Sequence, residues 1–346
     1  MVNRSKYRLL WDIWPFWLVL PFTFGAQLGF YVGPKLFTWL APLALAWPVI
    51  ALWVIGWTLW YAIRRKWGTW IGLGILLSTW PQTNGTFAWS MANSGGGDVH
   101  ITTWNVHQWR NMEWTETSKT EEHMLKTLES LEADILVIQE GRANTKPQAY
   151  LDSAYPFATP MQDQGMFICS KYPIKQWAFV PFKASYPGHR GFMWADIQTP
   201  KGEVRVVNVH LVTTTFVAQD AEREKDSAGL STSVLNSAYK LTRTAKIRDN
   251  QVSEMLQWAQ AENRPPLVWA GDFNDAPTSH TYYRFLDYQD AFTVCGSGFG
   301  STYRGVWGLP LRIDWILSED ALMPISLHTT IQKESDHQPV SASFRF

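Results

Sequence analysis

The chain has 346 residues, long enough for about two units, and no net charge, with 30 basic and 30 acidic side chains. The charge is unevenly placed: the first eighty residues hold seven Lys/Arg and one Asp/Glu, which leaves 23 basic against 29 acidic residues, a net of −6, for the remainder. That acidic remainder lacks the basic footprint of a nucleic-acid-binding domain, although a bound divalent metal can supply positive charge locally. The two cysteines, Cys169 and Cys295, stand in no CxxC or His/Cys spacing, which excludes a zinc site of that type and suggests buried free thiols.

Residues 14–33 and 37–63 carry no formal charge, and the third apolar stretch, 68–80, is shorter. They read as two to three transmembrane helices (about 14–33, 37–63 and 68–80), rich in the Trp that gathers where a membrane meets water. A cleaved signal peptide does not fit, since the run is long and no A-x-A site follows. Arg4, Lys6 and Arg8 before the first stretch and Arg64, Arg65 and Lys66 before the third place both segments in the cytoplasm. With three spans, everything after residue 81 lies outside; with two, it lies inside. The expectation is an integral membrane protein of a bacterial inner membrane, with its second domain extracytoplasmic. Residues 81–98, rich in Gly, Ser and Asn, read as a flexible linker.

From residue 99 to 346, strands and helices alternate. Residues 99–106 alternate like a strand. Ser118 and Glu121 form a capping box opening a helix to about Leu131. Residues 133–140 are an apolar run with a polar end. "GMFICS" and "EVRVVNVHL" are further strands, and 241–262 has helical spacing. "PLVWAG", "RIDWILS" and "PVSASFRF" complete the set. The stretch 212–240, with the charged centre "AQDAEREKDSAG", reads as a surface loop or short helix, solvated or facing a substrate. "GSGFGSTYRG" reads as a flexible turn or a phosphate cradle. The fold class is α/β or α+β, sheets flanked by helices.

One pattern recurs along these strands. Each ends in a small polar group: Asn105, Glu140, Asn208 with His210, Asp272 with Asn274, Asp314, and Asp336-His337. Singly, each is turn chemistry or a satisfied core residue. Strands of one sandwich share an end, so together they can line one pocket, and burying that set without a purpose is costly. A metal-assisted hydrolytic site accounts for it. Glu140 is a hard oxygen ligand for Mg2+ or Mn2+, and Asn105 can add an amide oxygen. Asp314 or Asp336 can partner His337. Asp272 can take a proton from water. Asn274, and His210 when protonated, can donate to a phosphate oxygen, and Asn208 lies beside them as a phosphate-binding candidate.

"TWNV", "IQE", "GMFICSKYPI", "VNVHL", "GDFNDAP", "RIDWIL" and "SDHQPV", in this order, resemble the endonuclease/exonuclease/phosphatase superfamily, over residues 99–346. With the N-terminal apolar stretches, the chain is similar to a bacterial membrane-anchored branch of it. The resemblance implies a four-layer sandwich of two mixed β-sheets flanked by helices, preceded here by the N-terminal helices. It implies that Asn105, Glu140 and Asp336 are metal or metal-shell residues. Asp272 and Asn274 match the residues that orient water and stabilise the phosphate, His210 matches a phosphate-binding histidine, and Asp314 and His337 match a pair. Some nuclease members have an acidic residue where this chain has His107. The implied function is a membrane-anchored, Mg2+-dependent phosphodiester hydrolase of nuclease type. The substrate could be nucleic acid, a phospholipid or sphingomyelin head group, or a small phosphorylated compound, including a phosphomonoester. A non-catalytic membrane receptor or scaffold is the alternative from another class. No protein partner is implied.

Overall fold

The computed structural model describes residues 13–90, 96–111, 118–186, 189–214, 230–261, 263–304 and 311–346. The chain divides into two compact units. The Ser118 side chain and the charged centre of the 212–240 stretch lie outside the described residues.

The first unit holds the N-terminal helices. Residues 14–33 form one helix, Trp14–Tyr31. Residues 37–63 do not: a 3-10 turn at Thr38–Leu40 and a short helix Ala41–Leu45 precede the helix Trp47–Ile63. Both later helices start with Pro in their first turn, where a missing N–H costs nothing, so each proline opens a new helix. The stretch 68–80 yields Gly68–Ser78. At 1.5 Å per residue the three main helices measure about 27, 26 and 17 Å, against a hydrocarbon core of about 30 Å. The longest is also diluted by Pro21, Thr23 and Gln27. Among the described residues, no helix is long and apolar enough to cross a membrane. The expectation of an integral membrane protein with an extracytoplasmic domain is overturned by this finding. The helices bury part of their apolar surface on one another: Phe16 stacks on Tyr61 with ring centroids 5.5 Å apart, and Trp47 and Val54 are fully buried, while Phe24, Val49 and Leu52 are exposed. Within the expected linker, Trp80–Thr86 is helical.

The second unit carries the strands β1 (Ala88–Trp89), β2 (Val99–Asn105), β3 (Ile135–Gln139), β4 (Phe157–Ala158), β5 (Phe167–Ser170), β6 (Ile174–Tyr186), β7 (His189–Gln198), β8 (Glu203–His210), β9 (Leu267–Asp272), β10 (Gln289–Asp290), β11 (Ser297–Gly298), β12 (Asp314–Ser318), β13 (Met323–Thr329) and β14 (Val340–Arg345). Two six-stranded sheets form, in the orders β13-β14-β2-β3-β5-β4 and β10-β12-β9-β8-β7-β6. Both are mixed: β2–β3 and β8–β9 are parallel pairs among antiparallel ones. The sheets pack face to face. Val99, Ile101, Ile135 and Val137 of one meet Ala195, Val206, Val268 and Ile316 of the other. The alternate residues Trp104, Leu136 and Ile138 face outward, onto Met124 and Leu128 of the helix Ser118–Ser130 and Leu151 of the helix Lys146–Ala154. On the other side Trp258, near the end of the helix Leu230–Ala259, meets Phe192 and Trp269. Strands buried on both faces read as continuous apolar runs, which is why 135–138 shows no polar alternation.

The β6–β7 hairpin was not legible beforehand. Pro181 sits inside β6, which the edge position permits. "GSGFGSTYRG" supplies β11, which pairs with β1; its Gly305 lies outside the described residues. Both cysteines are free and buried, as expected.

Gly271 stands opposite Val209 with φ 152°, and a Cβ there would lie 2.0 Å from the Val209 carbonyl oxygen. Gly271→Ala is expected to lower stability by about 1–3 kcal/mol, because neither backbone can yield cheaply. Thermal unfolding checks this, and an unchanged Tm refutes it.

Candidate active site

Strand parity builds the site. On β9, Val268 and Ala270 face the inter-sheet core, so Asp272 does too. By the same count the inner row of β2 ends at Asn105, that of β8 at Asn208 and His210, and that of β12 begins at Asp314. His210 pairs in register with Asp272, and Asp314 with Asp272. The last layer of the inter-sheet core is therefore polar. Phe273, of opposite parity, points away and stacks on Trp315 at 4.4 Å between ring centroids.

Asp272, only 1% exposed, is the centre of this layer. Its Oδ1 accepts from the Asn274 amide N–H (2.8 Å), and its Oδ2 accepts from Asn274 Nδ2 (3.0 Å) and Asn105 Nδ2 (3.1 Å). His337 Nε2 lies 3.7 Å from Oδ2, and His210 Nε2 3.8 Å. His337 Nδ1 sits 2.9 Å from Asp314 Oδ2, so a chain Asp314–His337–Asp272 runs through the site. These three residues offer ligand atoms all within 4.8 Å of one another.

Burial pushes the Asp272 carboxyl up to about 7; His337, Asn274 and Asn105 oppose the rise and Asp314 adds to it. Burial pulls the His337 imidazolium down, but Asp314 and then Asp272 outweigh it and lift it to about 10. His337 is therefore a cation at neutral pH, and Asp272 is poised to exchange a proton.

Glu140 comes from the wrong parity: Gln139 closes the inner row of β3. A left-handed backbone, φ 54°, redirects Glu140 so that its Oε1 meets Asn105 Nδ2 at 3.1 Å and lies 3.6 Å from His210 Nε2. Neighbouring segments share that conformation. His107, Gln108 and Trp109 have φ of 48°, 55° and 60°, and Gln164 has 56°. Main-chain bonds lash them together: Gln108 N to Glu140 O (2.8 Å), Glu140 N to Gln164 O (2.9 Å) and Gly141 N to Gly165 O (2.9 Å). His107 Nδ1 lies 3.3 Å from Asp336 Oδ1, so the departure from an acidic residue at 107 pairs an imidazole with Asp336.

The three asparagines donate to groups within the protein. An amide nitrogen has two hydrogens. Asn105 Nδ2 gives both to Glu140 and Asp272, and its Oδ1 accepts from the His107 N–H (3.1 Å), so its oxygen faces away from Glu140. Asn274 Nδ2 gives both to Asp272 and the Leu211 carbonyl. Asn208 Nδ2 gives both to the Ile138 and Phe167 carbonyls, and its Oδ1 accepts from Gln139 Nε2 (2.8 Å). Asn208 thus bridges the two sheets beneath the site. This corrects its assignment to phosphate, since it has no hydrogen left to donate. Carboxylates remain as metal donors. Glu140 and Asp336 are hard oxygen ligands, and the ion pairs described for Glu140, Asp272, Asp314 and Asp336 are all to histidines. That donor set fits Mg2+, which takes one or two carboxylates and otherwise water.

Three contributors escaped the sequence reading. Ser335 Oγ donates to the Asn105 carbonyl (2.8 Å) and accepts from the His337 N–H (3.0 Å). Thr302 Oγ1 accepts from the Ile313 and Asp314 amides (3.0 and 3.1 Å). Tyr303 lies against the His337 ring, centroids 4.9 Å apart. Ser335 carried a signal through its neighbours in "SDH", and Thr302 and Tyr303 lie within "GSGFGSTYRG", the stretch read as a turn or a phosphate cradle.

Two mixed sheets with helices outside, and a mouth of carboxylates and imidazoles between them, define the class as a two-sheet sandwich with a polar end layer. The chain belongs to the Endonuclease/Exonuclease/phosphatase family, whose profile matches residues 102–337. Members of that family are hydrolases of phosphoester bonds that depend on a divalent metal. Solved structures with a similar fold include an endonuclease/exonuclease/phosphatase from Beutenbergia cavernae (18% identity, 72% of this chain and 71% of that one, TM-score 0.51). They also include beta toxin from Staphylococcus aureus (18%, 70% and 99%, 0.52) and the human Nocturnin catalytic domain with a bound sulfate anion (16%, 73% and 95%, 0.52). A comparison with curated protein sequences finds no match.

Proposed function

We propose that the chain is a Mg2+-dependent phosphodiester hydrolase in which Asp272 is the general base. The observation that supports this most is the buried chain Asp314–His337–Asp272 with Asn274 and Asn105 fixed on the Asp272 carboxylate. A water on Asp272 attacks phosphorus. Its oxygen bonds to phosphorus as the bond to the leaving oxygen breaks, and Asp272 accepts the proton. The leaving oxygen takes a proton from solvent. His337, held as a cation by Asp314, donates from Nε2 to a phosphate oxygen, and His210 stands beside it. Asn274 and Asn105 keep Asp272 in place and do not touch phosphate. Glu140 and Asp336 would hold the metal, which supplies positive charge to the phosphate oxygens. Magnesium is the ion we assign; a beta-toxin structure from Staphylococcus aureus, 17% identical with a TM-score of 0.50, is described with bound magnesium ions.

The full chain with bis(p-nitrophenyl) phosphate and Mg2+ tests this. Turnover is expected, and removal of metal by EDTA is expected to abolish it. Glu140→Gln is expected to raise the Mg2+ concentration for half-maximal rate by at least about tenfold, and to erase the thermal stabilisation by Mg2+. A variant with wild-type Mg2+ dependence removes Glu140 from the metal.

A further inference from the structure

The mouth of the site has few donors left for a substrate. Asn105, Asn208 and Asn274 have given both amide hydrogens to groups within the protein. A tetrahedral phosphate in hydrolysis develops charge on several oxygens, and each needs a fixed donor. Besides His210 and His337, a further donor beside the site among the described residues is a tyrosine.

That side chain is Tyr303. Its ring packs against the imidazole of His337. Its backbone is pinned from both sides: Tyr303 N donates to the Leu311 carbonyl (3.0 Å), Gln338 N to the Thr302 carbonyl (2.7 Å) and Arg304 N to the Asp336 carbonyl (3.0 Å). Arg304 Nη2 adds a bond to the Ser335 carbonyl (2.7 Å). The preceding Thr302 holds the Asp314 amide. The residue is half-buried, and its hydroxyl has no hydrogen-bond partner among the described residues. A phenol so fixed costs little to order when a ligand arrives.

We infer that the Tyr303 hydroxyl donates a hydrogen bond to a non-bridging oxygen of the substrate phosphate, making Tyr303 a further catalytic residue. The inference rests on the hydrolase reading above. The electrostatics agree with it. Burial, then Asp336, Asp272, Glu140 and Asp314, raise the phenol to about 12, so it stays protonated and can donate. A deprotonated tyrosine would repel phosphate.

Tyr303→Phe removes the hydroxyl and keeps the ring against His337. With bis(p-nitrophenyl) phosphate and saturating Mg2+, kcat is expected to fall about 30- to 100-fold while KM stays within about threefold, the pattern of a bond that strengthens in the transition state. The inhibition constant of inorganic phosphate is expected to rise about tenfold, and Tm to be unchanged. A merely structural tyrosine would shift Tm and leave the kcat-to-KM split absent. A kcat within twofold of wild type, in an enzyme that Asp272→Asn silences, overturns the role of Tyr303 and leaves the hydrolase reading standing. A wild-type chain without turnover overturns that reading, and the inference with it.

Discussion

Asp272→Asn is expected to lower kcat on bis(p-nitrophenyl) phosphate by about 10³-fold or more, near the upper range for loss of a general base, while raising Tm at pH 8. The two effects share one cause. Asn keeps an oxygen that can accept from Asn274 and Asn105 but cannot take a proton from water. The wild-type carboxyl is 1% exposed and its proton affinity is raised by burial. The folded protein therefore binds that proton more tightly than the unfolded chain. Stability present below the ordinary carboxyl range is lost as pH rises through about 7. At pH 8 the wild type carries a buried charge that the variant lacks. At pH 3 both are neutral there, and the difference in Tm should vanish. Activity within tenfold of wild type would remove Asp272 as the base.

The second large effect is on pH dependence. The proposed mechanism needs Asp272 ionised and His337 protonated. The rate should rise with pH through about 7 and fall through about 10. Added Mg2+ should move the acid limb down, since a nearby cation favours the carboxylate. Asp314 is the leading cause that lifts His337, ahead of Asp272. Asp314→Asn should therefore pull the alkaline limb down by more than one pH unit toward 6.5 and narrow the bell, with kcat at pH 8 falling at least about tenfold. The stability of His337 has the same sign as its charge: present in full below 6.5, lost as pH rises through about 10. A pH–rate profile of Asp314→Asn that keeps the wild-type alkaline limb would show that His337 does not act as the acid.

Much of this site was legible because strand parity is simple arithmetic. Asn105, His210, Asp272 and Asp314 each close an inner row of apolar residues, so a count of two along each strand finds them. Glu140 was found by its residue type, against parity, and the left-handed backbone that brings it round cannot be read from "IQEG". Asn208 obeys the same parity as His210 and was misassigned for that reason: one layer deeper, its neighbours are the carbonyls of the opposite sheet. Tyr303 and Thr302 were seen only as part of a turn or phosphate cradle, because an irregular segment with no periodicity carries them to His337 and Asp314. The N-terminal stretches misled through composition. Apolarity does not set helix length: Pro42 and Pro48 start new helices there, and Phe24, Val49 and Leu52 stay exposed.

That the reactive groups are the outermost layer of the inter-sheet core has a consequence for how the molecule can fail. A strand that slipped by one residue would turn its whole row over. In β9 such a slip would present Gly271 or Phe273 where Asp272 stands, and in β12 it would present Ile313 or Trp315 in place of Asp314. The misaligned chain would still have apolar side chains to fill the core, yet it would have no proton acceptor. Under the proposed mechanism, turnover is an assay of alignment: molecules that fold in the wrong frame are inert, and specific activity per folded chain counts those whose strands lie in the correct frame.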